Sequence, residues 1–144
     1  MNMKVVLAAL AAGVASFLLG WLVHGVLLRS YMEAGMTPAA FALHKQMENF
    51  NWIGMIIANL AGGTLIAWAL SRMGVNTAMG GLVPGAIIGF LIAVMYDMFF
   101  YSMMNMYSSK MVVVVDVLAN TVSCGVLGAV AGLVLGMGPK TAKA

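Results

Sequence analysis

Four apolar stretches dominate the sequence and leave it few ways to fold. Val5–Leu28 and Trp52–Ser71 contain no formally charged residue, Ala78–Tyr101 contains only Asp97, and Val112–Gly136 only Asp116. Each runs for 20 to 25 residues. About 20 helical residues, rising 1.5 Å apiece, cross the hydrocarbon core of a bilayer. With no water there, the backbone must bond to itself, which selects helices; the alternation of a membrane β-barrel strand is absent. Only 8% of the 144 residues are charged, against roughly 25% in soluble domains, so the chain cannot clothe itself in a solvated surface. The expectation is an all-α, single-domain four-helix up-down bundle, with spans at about 5–28, 52–71, 78–101 and 112–136 and a helical outer loop, 29–51, before span two.

The start, "MNMKVVLAALAAGVAS", has the lysine, apolar run and small residues of a secretory leader. The run continues through "FLLGWLVHGVLL", well past a leader's apolar region, and reads as a retained first span. Four spans put both termini on one side with Lys4, Arg72, Lys140 and Lys143; Arg29, Lys45 and Lys110 fall on the other, beside Glu33 and Glu48. Four basic residues against three favour cytoplasmic termini. The net charge of +3 is therefore a topology signal, and no nucleic-acid patch is present. The single cysteine, Cys124, excludes an internal disulfide.

Within the spans, small residues recur every fourth position. Span three carries Gly81, Gly85, Gly89 and Ala93, ending in Asp97; span four reads in reverse from Asp116 and Asn120 through Cys124, Gly128, Gly132 and Gly136. Span one offers Ala8, Ala12, Ser16 and Gly20, and span two Gly54, Ala58 and Gly62. In lipid, helices associate through close backbone approach at small residues, so these rows predict helix packing. A four-residue step overshoots the 3.6-residue turn by about 40°, which suits right-handed crossings rather than a straight seam. Spans three and four should pack directly through Gly85, Gly89, Gly128 and Gly132.

Polar residues end the rows. His24, Asp97 and Asp116 fall at one depth in an up-down bundle, with Asn120 one turn beyond Asp116 and Asn59 in span two. Ionisable groups at bilayer depth are costly and pair or face a cavity. A static clasp, a proton or cation site, and a set completed by a partner's groups all fit this pattern. His24, one turn after Gly20, has room for a flat macrocycle, but no second intramembrane histidine supports haem ligation and no cofactor is expected. Methionines crowd Met95 to Met111; Met103, Met104 and Met106 offer thioethers to Cu(I), while packing against Phe99, Phe100, Tyr101 and Tyr107 is the simpler account. Tyr96, Tyr101 and Tyr107 are expected in an interfacial aromatic belt.

In the first loop, Thr37-Pro38 reads as an N-cap and first helical position. Ala40, Leu43, Met47 and Phe50 would form an apolar stripe opposite His44, Lys45 and Glu48, on a helix that either lies on the outer surface or, the preferred reading, runs on into span two. Pro84 should kink or delay span three, and the tail "GPKTAKA" should fray. No nucleotide loop, metalloprotease helix, serine elbow or cysteine pair is present, so no enzyme is expected.

The segments "FLLGWLVHGVLLRSYMEAG", "GAIIGFLIAVMYDMFFYSMMNMYSS" and "VDVLANTVSCGVLGAVAGLVLG" resemble small four-span bacterial inner-membrane proteins that form a domain-of-unknown-function family. That resemblance implies the four-helix architecture and carries no activity. Two functions remain: a structural or accessory membrane protein that self-associates or joins a larger complex, and a small transporter or channel component using the outer polar cluster. The lipid bilayer is the common partner of both.

Overall fold

The computed structural model describes residues 2–45 and 47–137. Its long helices are α1 (Met3–Leu22), α4 (Trp52–Arg72), α5 (Ala78–Met103) and α6 (Lys110–Gly136). Two short helices, α2 (Arg29–Ala34) and α3 (Pro38–Ala42), lie between α1 and α4. Among the described residues, four stretches are long and apolar enough to cross a membrane: Met3–Leu27, Trp52–Arg72, Ala78–Met103 and Lys110–Gly136. There is no β-strand among the described residues. Lys140, Lys143 and the tail, on which the orientation and fraying expectations partly rest, lie outside those residues.

Polar residues fix where the helices begin. Asn51 accepts from Gly54 N at 3.0 Å, Thr77 from Gly80 N at 3.0 Å and Ser109 from Met111 N at 3.2 Å, each meeting a first-turn N–H that the helix leaves without a partner. At its other end α4 closes in a Schellman turn. Gly74, at φ +71°, donates to Ser71 O, and Val75 donates to Leu70 O at 3.0 Å. Val75 then packs back on the core beside Leu70, so five residues suffice to turn the chain into α5.

Helix α5 packs most extensively on α6, and α1 on α4; α1 also rests on α6. The α5–α6 contact is backbone against backbone. A methyl group at Gly85 would stand 2.5 Å from Cys124 O and 2.8 Å from Gly128 Cα; one at Gly89 would stand 2.9 Å from Asn120 O, and one at Gly81 would overlap Gly128 O. Positions rise along α5 as they fall along α6, so the pair is antiparallel, and the expected packing through Gly85, Gly89, Gly128 and Gly132 is present. Gly81, Gly85, Gly89, Ala93 and Asp97 are all buried. A row that drifts about 40° per step stays covered only if its partner winds with the drift. Gly132 lies so close to Thr77 O that a methyl group would overlap it, which ties the row to the turn before α5.

The α1–α4 contact keeps Ala8 and Ala12 of the expected rows, both buried against α4, and departs from them at Gly20 and Gly62. Gly20 and Gly62 have nothing within 4 Å of where a Cβ would stand. The approach is made by Gly13 and Gly63 instead: a methyl group at Gly63 would meet Ala9 O at 2.6 Å and Gly13 Cα at 2.7 Å. Two neighbouring glycines in "AGGT" left the face ambiguous, and the packed face is the one that also carries Ile66, Ala67 and Leu70. These three, with Val5, Ala8, Ala9, Ala12 and Ala131, form the buried core of α1, α4 and α6.

The loop also differs from expectation. Thr37 does cap α3, accepting from Ala40 N at 3.3 Å. That helix ends at Ala42, a 3-10 turn follows at Met47–Asn49, and Asn51, with ψ 84°, starts α4 afresh. Leu43 and Met47 are exposed, so only Ala40 of the expected stripe is buried. Pro84 neither delays nor ends α5, which runs through it from Ala78.

Candidate functional site

The six residues 104–109 join α5 to α6, so side chains equally far from that turn sit level. Asp97 lies six residues before the end of α5 and Asp116 six after the start of α6, about 9 Å along each axis. The third member comes from the end of α1, where the helix widens into a π-turn over Val23–Leu27, closed by Leu28 N donating to Val23 O at 2.8 Å. Such turns are rare and concentrate at functional sites. His24 sits in this one, and its Nε2 lies 3.0 Å from Asp116 Oδ1. Asn120, one turn on from Asp116, donates its Nδ2 to Asp116 Oδ2 at 2.8 Å and to the Asp116 carbonyl at 3.0 Å. Both oxygens of the Asp116 carboxylate thus have a donor.

Asp97 is differently placed. It is 6% exposed and is the one buried polar or charged residue among those described. Its carboxyl group lies within reach of Asp116. Oδ1 receives a long hydrogen bond from Tyr107 OH at 3.5 Å, and Oδ2, shut off from solvent, has no partner. The structure therefore brings His24, Asp97, Asp116 and Asn120 together.

Tyr107 completes the group, where the sequence suggests only packing against methionines and a place in the aromatic belt. It is held by loop-to-loop pairing: Thr37 N donates to Met106 O at 2.9 Å, Thr37 Oγ1 to Asn105 O at 2.8 Å, and Ser108 N to Gly35 O at 2.8 Å, around an antiparallel Met36–Tyr107 bridge. Burial and the two nearby carboxylates raise the phenol above its ordinary value of 10.0, so it remains a donor at neutral pH. The available signal is its place in the six residues that join α5 to α6, at the end of the bundle where both acids lie.

Asn59 stands apart from this cluster. Its Oδ1 accepts from Ser16 Oγ at 2.7 Å and its Nδ2 donates to Met55 O, so it is a bond across the α1–α4 contact. Of the thioethers considered for copper, Met103 and Met104 are exposed, and Met106 serves the loop pairing through its carbonyl. Among the described residues, no group of three or more His, Cys, Asp and Glu side chains is placed to hold a metal ion. An apolar groove between the π-turn and α6 is lined by Val23, Leu27, Leu28, Val115, Leu118 and Val122 among others, and no atom of the polar cluster lines it.

Chemically, the arrangement is a carboxylate saturated with donors beside a buried carboxyl that lacks one. It can hold positive charge or a proton, and it fastens α1 and the 104–109 segment to the α5–α6 pair.

No curated protein and no solved structure matches the chain. A family model described as "Protein of unknown function (DUF1761)" matches residues 7–132, a span that takes in all of the polar cluster and nearly all of the four long helices. The chain therefore belongs to the DUF1761 family of proteins of unknown function.

Proposed function

We propose that the protein is a multi-pass protein of the bacterial inner membrane, its four long helices crossing up and down with both termini cytoplasmic. In this reading it is a non-catalytic structural or accessory component that self-associates or joins a larger complex. Large apolar side chains such as Leu18, Ile57, Leu91 and Leu133 point outward along all four helices, a surface suited to lipid. The observation that carries association is the outward position of Gly20 and Gly62, whose faces meet nothing among the described residues and leave flat backbone for another helix.

Gly62→Leu is expected to shift the protein to a smaller assembly in mild detergent or nanodiscs while leaving thermal unfolding unchanged, because nothing inside the chain abuts that position. Wild-type protein that is already monomeric by native mass spectrometry would remove the self-association part of this reading. Orientation is tested separately at Lys45, exposed in the loop before α4. In a Cys124→Ala background, Lys45→Cys is expected to react with an impermeant maleimide applied outside spheroplasts. Reaction only after lysis would place the termini outside.

A second reading is favoured by one observation, the buried and unpartnered Asp97 Oδ2. Intramembrane acids mark proton and ion pathways in transporters, and two acids with a histidine are the parts such a pathway uses. Proteoliposome flux that is lost in Asp97→Asn, with assembly intact, would select this reading over the first.

A further inference from the structure

Among the described residues, three ionisable groups face Asp97. His24 faces the cluster from the π-turn, Asp116 from α6, and Tyr107 from the 104–109 segment. Arg29 of α2 is engaged by Glu33 at 2.9 Å, and α4 has one charged residue, Arg72, at its opposite end. With both acids ionised, two negative charges would face at most one positive charge on His24, in a site where Asp97 is 6% exposed. Adjacent carboxylates in a shielded site do not both ionise. A buried carboxylate oxygen without a donor is also costly in its own right.

We propose that Asp97 and Asp116 form a proton-binding site, with one proton on Asp97 Oδ2 donated to the Asp116 carboxylate. The proton comes from a solvent hydronium ion: one of its O–H bonds breaks, one O–H bond forms on Asp97 Oδ2, and a water molecule is released. It turns an orphaned acceptor into a donor. The receiving group has room, because an ionised carboxylate offers about four lone-pair sites and His24 and Asn120 occupy two of those on Asp116. It also leaves the cluster with one negative carboxylate opposite His24. A metal ion would need more protein ligands than the two acids and His24, and among the described residues no set of three or more His, Cys, Asp and Glu side chains is placed to hold one. The site goes beyond both functional readings, since a static clasp and a transport pathway would each contain it.

Infrared spectroscopy of the full-length protein in nanodiscs at neutral pH tests it, since a protonated carboxylic acid has a carbonyl band distinct from that of a carboxylate and sensitive to deuteration. The expected result is one such band per chain in the wild type, absent in Asp97→Asn. That substitution should leave the fold intact, because its amide can donate to Asp116 where the proton did. Asp116→Asn should also abolish the band, by supplying a donor to Asp97 and removing the opposing charge. A wild-type spectrum without the band, a band that survives Asp97→Asn, or a band that appears only when sodium is withdrawn would overturn the proposal; the last would assign the site to a cation. The wild-type measurement stands even if a variant fails to fold.

Discussion

Gly128→Leu is expected to abolish the folded bundle rather than loosen it. A single methyl group there would already overlap Gly81 O and stand 2.9 Å from Gly85 Cα, so the obstacle is backbone on a facing helix, with no side chain able to swing aside. Overpacking a yielding core costs about 1–3 kcal/mol, and a leucine forced between two backbones belongs at or above the top of that range. Gly63→Leu should behave likewise, against Ala9 O and Gly13 Cα. Alanine at the same positions should already destabilise. By contrast Gly20→Ala and Gly62→Ala should be neutral or stabilising by up to about 1 kcal/mol, the ordinary gain of replacing a helical glycine. Thermal unfolding in one detergent ranks all of them. Equal losses at Gly62 and Gly63 would mean that the packed face of α4 has been misassigned.

The second large effect is expected at Asp116. Asp116→Ala strips acceptors from His24 and Asn120 together and removes the bond between α1 and α6 at that end. Breaking a fully buried pair costs about 3–5 kcal/mol. Here the His24 side chain is 33% exposed and the Asp116 side chain 18%, so water can take over part of the lost bonding, and about 1–3 kcal/mol is the expected loss. His24→Ala should cost less, because Asp116 keeps Asn120. The double variant should be less damaging than the sum of the two by about 0.5 kcal/mol or more, the signature of direct contact. Additive losses would mean that the imidazole and carboxylate do not bond in the membrane-embedded protein.

The four long helices were legible because hydropathy and length speak directly to the requirement that buried backbone bond to itself, and their limits agree with the observed ends to within about two residues, the first span being counted through its π-turn to Leu27. The α5–α6 contact was legible for a related reason: a regular four-residue row marks one continuous, winding stripe, and a short turn leaves one partner. Span two was ambiguous because Gly62 and Gly63 stand about 100° apart on the helix, and sequence alone does not say which of two glycines faces inward. The shared depth of Asp97 and Asp116 follows from counting outward from the turn, so their meeting could be anticipated. Tyr107 and Asn59 could not be sorted the same way. Which loop residue turns inward depends on the pairing of residues 35–37 with 105–108, and the partner of Asn59 is a serine one helix away. The expected continuous helix before span two failed because Asn51 is a better helix start than a helix interior.

The π-turn at the end of α1 acts as a phase shifter. One residue beyond the usual four is enclosed in its hydrogen-bonded ring, so everything after it is rotated by about 100° relative to an uninterrupted helix. That rotation aims α2, and with it Gly35, whose buried backbone lies against Val112 at the start of α6 and whose carbonyl receives Ser108 N. Deleting one residue between Gly25 and Leu28 would lengthen the regular helix, yet swing this whole connection to another side of the bundle and unseat the segment that carries Tyr107. Insertions and deletions here are therefore not the harmless length changes of an ordinary loop.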